Sequence, residues 1–445
     1  MTLDCCGLAI QVPFLAQCQL RKRLCLAAIL LAALSLVSCK PVLVKQTTIS
    51  PRYQPSGINP DLYNAVGLYT RFDTIFPAHV VGHASIVSQF VYASVEPNVS
   101  YSYNHTTRTL ASYTSRNPVT GLLIAKNGRI LMEHYQYGCD AQTRFHSQSV
   151  AKTVVAMLVG VAIQEHLIRS VEDRAEAYVR ELTGSAYGST TIRDLLHMAS
   201  GVHFLENNGG QDDLKRLNHD LFFEPNISTT DAILKFNSRD APSGTRYYYA
   251  SIEPEILGLV LNRATGRTVS QYLSEKLWME IGTEQNASWV LDVHQQEITY
   301  CSFNATLRDY ARFGQLLAQN GQWERKQLIP SSWIIDATTV RPADQFLAPG
   351  VAMPYFGYGY LVRIFPGNKR IFEMHGLRGQ CIFVDPDDGL VMVQMGVFNP
   401  MNAEDEEALA LWNALVANAA NLEYSVPVRP ENDLLELSTP ELGHD

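Results

Sequence analysis

Ser147-Gln148-Ser149-Val150-Ala151-Lys152-Thr153 stands at the head of an apolar run that predicts a helix from Val150 to about Ile168. Ser149 and Lys152 lie three residues apart, so they share one helix face, a turn from each other. Ser149 falls at the helix start, where unpaired backbone N–H groups and the helix dipole favour negative charge. A Lys amine aimed at a Ser hydroxyl turns a poor nucleophile into a good one. The stretch thus predicts a serine hydrolase that does without a Ser-His-Asp triad. By itself the pattern fits a capping Ser and a solvated Lys equally well. A chain of this length supplies about one Ser-x-x-Lys by chance, so the flanking sequence has to decide.

Upstream, Gly121 to Ala125 and Arg129 to Met132 are apolar runs joined through Asn127-Gly128, the strongest short-range hairpin signal. Downstream, 170–335 reads as a helical, loop-rich middle. One helix opens at Thr191, one spans Glu253 to Thr265 and closes at Gly266, and one runs from Asn304 to Gly321. Strands return after Phe356: Phe372 to Met374, Cys381 to Asp385 and Leu390 to Gly396, the last two joined by Pro386-Asp387-Asp388-Gly389. A final helix is capped by Asn402, carries four acidic residues in its first turn and ends near Asn421. Strands first and last with helices between predict an α+β fold: an antiparallel sheet built from both chain ends, flanked by N- and C-terminal helices, with a helical insert.

The 445 residues are 46% hydrophobic, enough for a substantial core, and the net charge of −9 carries no long runs. That balance argues against a nucleic-acid surface. Arg21-Lys22-Arg23, then apolar Leu24 to Val37, reads as a secretory signal too short to span a membrane. It ends in Leu36-Val37-Ser38-Cys39, which resembles a bacterial lipoprotein signal with Cys39 as the lipidated residue. The organisation expected is therefore a signal over 1–39, a tether and then an irregular segment packed on the main fold over 40–117, a hydrolase domain over 118–422 and an acidic tail over 423–445. Cys139, Cys301 and Cys381 remain in the mature chain, allowing one disulfide at most. No Cys-x-x-Cys occurs, and His79-Val80-Val81-Gly82-His83 lacks a nearby carboxylate, so neither a metal nor a cofactor is expected.

Acyl transfer by a Ser-Lys pair also needs a proton relay and donors for the oxyanion. Tyr249, in Tyr247-Tyr248-Tyr249-Ala250-Ser251 just before a helix, is the candidate relay; packing alone also explains three tyrosines in a row. His375-Gly376-Leu377-Arg378-Gly379 opens a strand, where glycine lets a substrate backbone approach and an edge N–H can face the oxyanion. His375 is the candidate to hold the Ser-Lys-Tyr network, although a glycine-rich turn with an exposed His fits the same residues.

Ser149-x-x-Lys152, Tyr249-x-Ser251 and His375-Gly376 follow in an order that resembles the serine β-lactamase and penicillin-binding-protein superfamily. Flanking text agrees: Thr191 to Gly201 and Gly258 to Gly266 look like signatures of its class C-related hydrolases and esterases. Asn304 to Gly314, and Gly379-Gln380 before a strand, look most like the 6-aminohexanoate-dimer hydrolase group. The resemblance covers about 118–420. It implies Ser149 as nucleophile, Lys152 and Tyr249 as the proton-handling groups, and Ser251, His375, Gly376 and Arg378 around the oxyanion and substrate. The expected protein is a bacterial envelope lipoprotein, anchored through Cys39 and facing the periplasm, that acts on a small amide or ester. Two departures bear on the substrate. His375-Gly376-Leu377 replaces Lys-Thr-Gly, and Ser251 stands where class C enzymes carry Asn, so the groups that hold a β-lactam are missing. A D,D-peptidase or weak β-lactamase, and a catalytically idle binding protein, are the alternatives.

Overall fold

Asn127 and Gly128 both take left-handed backbone (φ 50° and 75°), which turns the chain back on itself as their sequence predicts. The computed structural model describes residues 60–207, 212–399 and 404–422. Following the chain, the strands of its two larger sheets are β1 (Ala78–Val81), β2 (Val91–Tyr92), β3 (Val119–Lys126), β4 (Arg129–Tyr135), β5 (Arg144–His146), β6 (Ala287–Val290) and β7 (Phe303–Thr306), then β8 (Gly357–Tyr358), β9 (Arg363–Ile364), β10 (Phe372–Gly376), β11 (Gln380–Asp385) and β12 (Leu390–Gly396). The helices used below are α1 (Pro60–Tyr69), α2 (Val150–Gln164), α3 (Ile252–Thr265), α4 (Leu307–Ala318) and α5 (Glu404–Ala417).

The main sheet runs β8-β9-β10-β11-β12-β3-β4-β2, so its centre joins the end of the chain to the hairpin before α2. Every pairing is antiparallel except β2 on β4. β3 is buried along all eight residues because both of its faces are covered. Leu123 and Ala125 face the core shared with α2, while Leu122 and Ile124 face the one that holds Trp412 of α5. Phe383 of β11 stacks on Trp412, ring centroids 5.4 Å apart. These are the two flanking layers that an apolar strand pair of this kind demands.

Three expectations need correction. First, α2 ends at Gln164 rather than Ile168, because His166 turns left-handed (φ 59°) and the amides of Leu167 and Ile168 return to Ala162 O. Second, Asn304 starts no helix. Phe303–Thr306 is β7, wholly buried, and α4 begins only at Leu307, where the Thr306 hydroxyl accepts from Asp309 N. Third, the middle of the chain is not purely helical and the N-terminal segment is not irregular. β1-β6-β7-β5 forms a second antiparallel sheet, in which β1 from the N-terminal segment lies beside β6 (Ala78 opposite Val290). Cys39, Asn402 and the stretches 1–59 and 423–445 lie outside the described residues. Among the described residues, no helix is long and apolar enough to cross a membrane, and no disulfide joins Cys139, Cys301 or Cys381.

Candidate active site

Ser149 occupies the N-cap of α2, yet its hydroxyl makes no capping bond. Lys152 Nζ donates to Ser149 Oγ at 2.6 Å and to Tyr300 O at 2.8 Å. Lys152 is buried, only 2% exposed. The capping Ser and solvated Lys that the pattern alone allowed are therefore not what the chain builds. A buried amine that keeps a charge must be hydrogen-bonded; here one of its partners is the hydroxyl it would activate.

The backbone before the Ser is held from several sides. Gln148 is left-handed (φ 47°). Its amide donates to His146 Nδ1 at 3.1 Å and its side-chain amide to Tyr69 OH at 2.7 Å. His146 is fully enclosed, and burial pushes its pKa down to about 3, so it stays a neutral acceptor. Burial likewise pushes Tyr69 up to about 12. On the far side, Gly376 of β10 presses against this turn: a Cβ there would meet Ser147 O at 2.7 Å and Ser149 N at 3.0 Å. Gly376 thus brings the edge of β10 alongside the amide of Ser149.

Ser149 and Lys152 face a cavity of about 640 Å³. Tyr69, Phe72, Phe222, Tyr249, Met353 and Tyr358 form much of its apolar wall, and Glu206, Ser251, Arg363 and His375 its polar part. Phe222 reaches the wall while its neighbour Phe223 is exposed. Lys152 Nζ sits 5.1 Å from the Tyr249 ring centre and 5.7 Å from that of Tyr300. Ser251 is engaged by Glu206, which accepts from its amide at 2.6 Å and its hydroxyl at 2.8 Å. Burial raises Glu206, while the Lys152 charge and the two Ser251 bonds pull the other way.

His375 lines the cavity, but its Nδ1 is bonded to Glu373 Oε1 at 2.8 Å, not to the Ser-Lys-Tyr group it was expected to hold. Glu373 is buried, which disfavours its charge; the neighbouring His375 and Arg363 nonetheless hold it below the usual carboxylate range. Arg378 is left-handed at φ 64° and donates to Phe398 O at 3.3 Å; it does not line the cavity, whereas Leu377 does, though its charge acts on Tyr69 at the cavity wall. So the structure brings Ser149, Lys152, Tyr249, Ser251 and His375 to one cavity, with Gly376 packed behind the nucleophile and Arg378 in the turn outside. His79 bonds Glu297 and His83 the carbonyl of Ala84, as structural histidines do. Sequence reading missed Glu206, Tyr300 and Tyr69. Each is a single residue in a loop or at a helix end, with no spacing that marks it.

A buried Ser-Lys pair at the head of a helix beside an antiparallel sheet defines a serine hydrolase of the penicillin-recognising class. A family model described as Beta-lactamase matches residues 106–417, and the chain belongs to that family. It is 23% identical over 294 residues to the 6-aminohexanoate-dimer hydrolase of Paenarthrobacter ureafaciens, covering 61% of this chain and 71% of the relative. In structure it is similar to a Bacillus anthracis chain provisionally named a 6-aminohexanoate-dimer hydrolase (TM-score 0.73, 24% identity, 88% of this chain and 100% of that one). It also shares its fold with a family VIII carboxylesterase (TM-score 0.54, 18% identity, 68% of this chain and 93% of that one).

Proposed function

We propose that this protein cleaves linear amides or carboxylic esters through an acyl-enzyme on Ser149. The observation that carries the reading is the 2.6 Å contact between Lys152 Nζ and an uncapped Ser149 hydroxyl. Lys152 and Tyr249 take the Ser149 proton as Oγ attacks the carbonyl carbon. The oxyanion is stabilised by the Ser149 amide and an amide at the end of β10, beside Leu377, which Gly376 allows to approach. Collapse of the adduct breaks the C–N or C–O bond, and the same pair returns the proton to the leaving amine or alcohol. Water, deprotonated through Tyr249, then releases the acid and restores Ser149. The apolar cavity wall and the absence of Lys-Thr-Gly favour a flexible acyl chain over a β-lactam. Attachment to the bacterial envelope through a lipid on Cys39 belongs to the same reading; Cys39→Ser should move the protein from the membrane to the soluble fraction.

The test uses a fluorophosphonate probe and a p-nitrophenyl ester. Wild type is expected to label and turn over, and Ser149→Ala to do neither. Retained turnover by Ser149→Ala would sink the assignment. Covalent capture of a fluorescent penicillin by wild type would favour the D,D-peptidase or β-lactamase alternative.

A further inference from the structure

We propose that Glu373, His375 and Cys381 form a binding site for one zinc-type divalent cation, and that its occupancy inhibits the hydrolase. β10 and β11 pair so that His375 stands directly opposite Cys381. Glu373, two residues earlier on β10, projects from the same face as His375. The ligand atoms of all three lie within 4.8 Å of one another. His375 Nδ1 is 2.8 Å from Glu373 Oε1, and Cys381 Sγ is 3.5 Å from His375 Nδ1. Tetrahedral zinc with ordinary bonds to S, N and O spaces its donors by about 3.3–3.7 Å. The site needs a small widening of the Glu–His contact and a Glu–Cys separation, within 4.8 Å in the unbound site, that settles into the same range, between residues fixed on paired strands of the main sheet.

The donor chemistry selects the ion. Thiolate, imidazole and one carboxylate suit zinc and its neighbours, whereas calcium and magnesium call for oxygen ligands. Glu373 and Cys381 are buried, and His375, at the cavity wall, supplies the way in and leaves a fourth position for water. Arg363 opposes the ion, with Nη1 3.6 Å from Glu373 Oε2. It faces the outer oxygen, however, and its guanidinium rests over Phe356 at 5.2 Å. Carboxylate and thiolate together balance the charge of the cation. On binding, the His–Glu hydrogen bond gives way to metal bonds from Nδ1 and Oε1. The proton that Nδ1 gives to the Glu373 hydrogen bond must leave that nitrogen, so that Nε2 carries the imidazole's one remaining proton, and the Cys381 thiol proton leaves to solvent, so affinity rises with pH. Nothing is oxidised or reduced. Because Gly376 abuts Ser149 N, an ion on the preceding residue adds charge and rigidity beside the nucleophile.

The inhibition rests on the hydrolase reading; the binding does not. Chelator-treated full-length protein is titrated with Co²⁺ and then Zn²⁺. One Co²⁺ per chain is expected, with a thiolate-to-cobalt charge-transfer band that Zn²⁺ abolishes. The band should vanish in Cys381→Ser, weaken in Glu373→Gln and persist in Cys139→Ser and Cys301→Ser, with thermal melting used to confirm that each variant is folded. Absence of the band in wild type, or its survival in Cys381→Ser, overturns the site. Zn²⁺ should lower turnover of wild type but not that of Cys381→Ser, each measured against its own metal-free rate. Equal sensitivity of the two overturns the inhibitory role. A protein that shows the cobalt band but no hydrolysis sinks the proposed activity and upholds the metal site.

Discussion

At the scale of single residues, the Lys152 amine is held from a distance. Its second acceptor is Tyr300 O. The adjoining Thr299 is gripped by Glu255 Oε2, which accepts from its amide at 2.7 Å and its hydroxyl at 2.9 Å. Glu255 is therefore a positioning residue, acting on Lys152 through the backbone of 299–300. Full burial raises its pKa from 4.5 to about 8, against the pull of the Thr299 bonds and with help from the charge of Asp292. The sign follows from linkage. The folded protein keeps this proton where the unfolded chain has lost it, so the stabilisation is complete below the ordinary carboxylate pKa and is lost as pH rises toward the folded value. Each unit of pH across that window costs about 1.4 kcal/mol. Glu255→Gln cannot ionise. Its stability to denaturant, measured against wild type from about pH 5 to pH 8, should improve steadily with pH. Parallel curves for the two proteins would mean that Glu255 titrates at its ordinary value.

At the scale of elements, the proposed mechanism depends on how closely β10 meets the start of α2. Both were legible. The apolar run from Val150 to about Ile168 announced a helix, and Phe372 to Met374 announced a strand. Their meeting was implied only by the family resemblance, since spacing alone does not join residues more than two hundred positions apart. β7 was missed for a related reason: four residues buried on both faces show no alternation. Thr306 in fact caps the following helix, but a capping signal is hard to place when a strand runs directly into it. Gly376→Ala tests the contact. Its Cβ has nowhere to go, since Ser147 O, Gln148 Cβ and Ser149 N all lie within 3.0 Å. Relief must come from β10 or the Ser149 turn moving outward. A misplacement of this order costs about a hundredfold in rate. The variant should lose kcat by about that factor while its melting temperature changes far less, as read by ester turnover and thermal unfolding. A variant with unchanged kcat would show that the approach of β10 is not needed for the chemistry.

At the scale of the whole molecule, the N-terminal segment packs on the main fold as expected, yet through regular strand and helix rather than irregular chain. It supplies Tyr69 and Phe72 to the cavity and β1 to the second sheet. Local pattern could not reveal this: β1 has one fully buried residue in four, and its register is fixed by β6, far along the chain. One of the links that fasten it is ionic, from His79 Nδ1 to Glu297 Oε1 at 2.8 Å. That hydrogen bond raises the pKa of His79 against the effect of partial burial, and the charge of Glu297 adds to it. Glu297 in turn is held low by His79 and the Ser270 amide in spite of its burial. A histidine raised in the fold stabilises it fully below the ordinary value of 6.5 and ceases to do so as pH climbs through the folded value. The edge strand should therefore loosen on the alkaline side while the main sheet holds. Amide exchange at Val81, corrected for its intrinsic pH dependence, should accelerate there relative to β3. In His79→Asn the exchange should already be fast at mildly acid pH and no longer vary. Because Tyr69 and Phe72 lie just ahead of this strand, the same loosening should raise KM for a long acyl substrate before it lowers kcat. If exchange at β1 in wild type stays flat across that range, the His79–Glu297 pair does not fasten the segment, and the neighbouring Arg144–Asp73–Ser288 cluster must hold it alone.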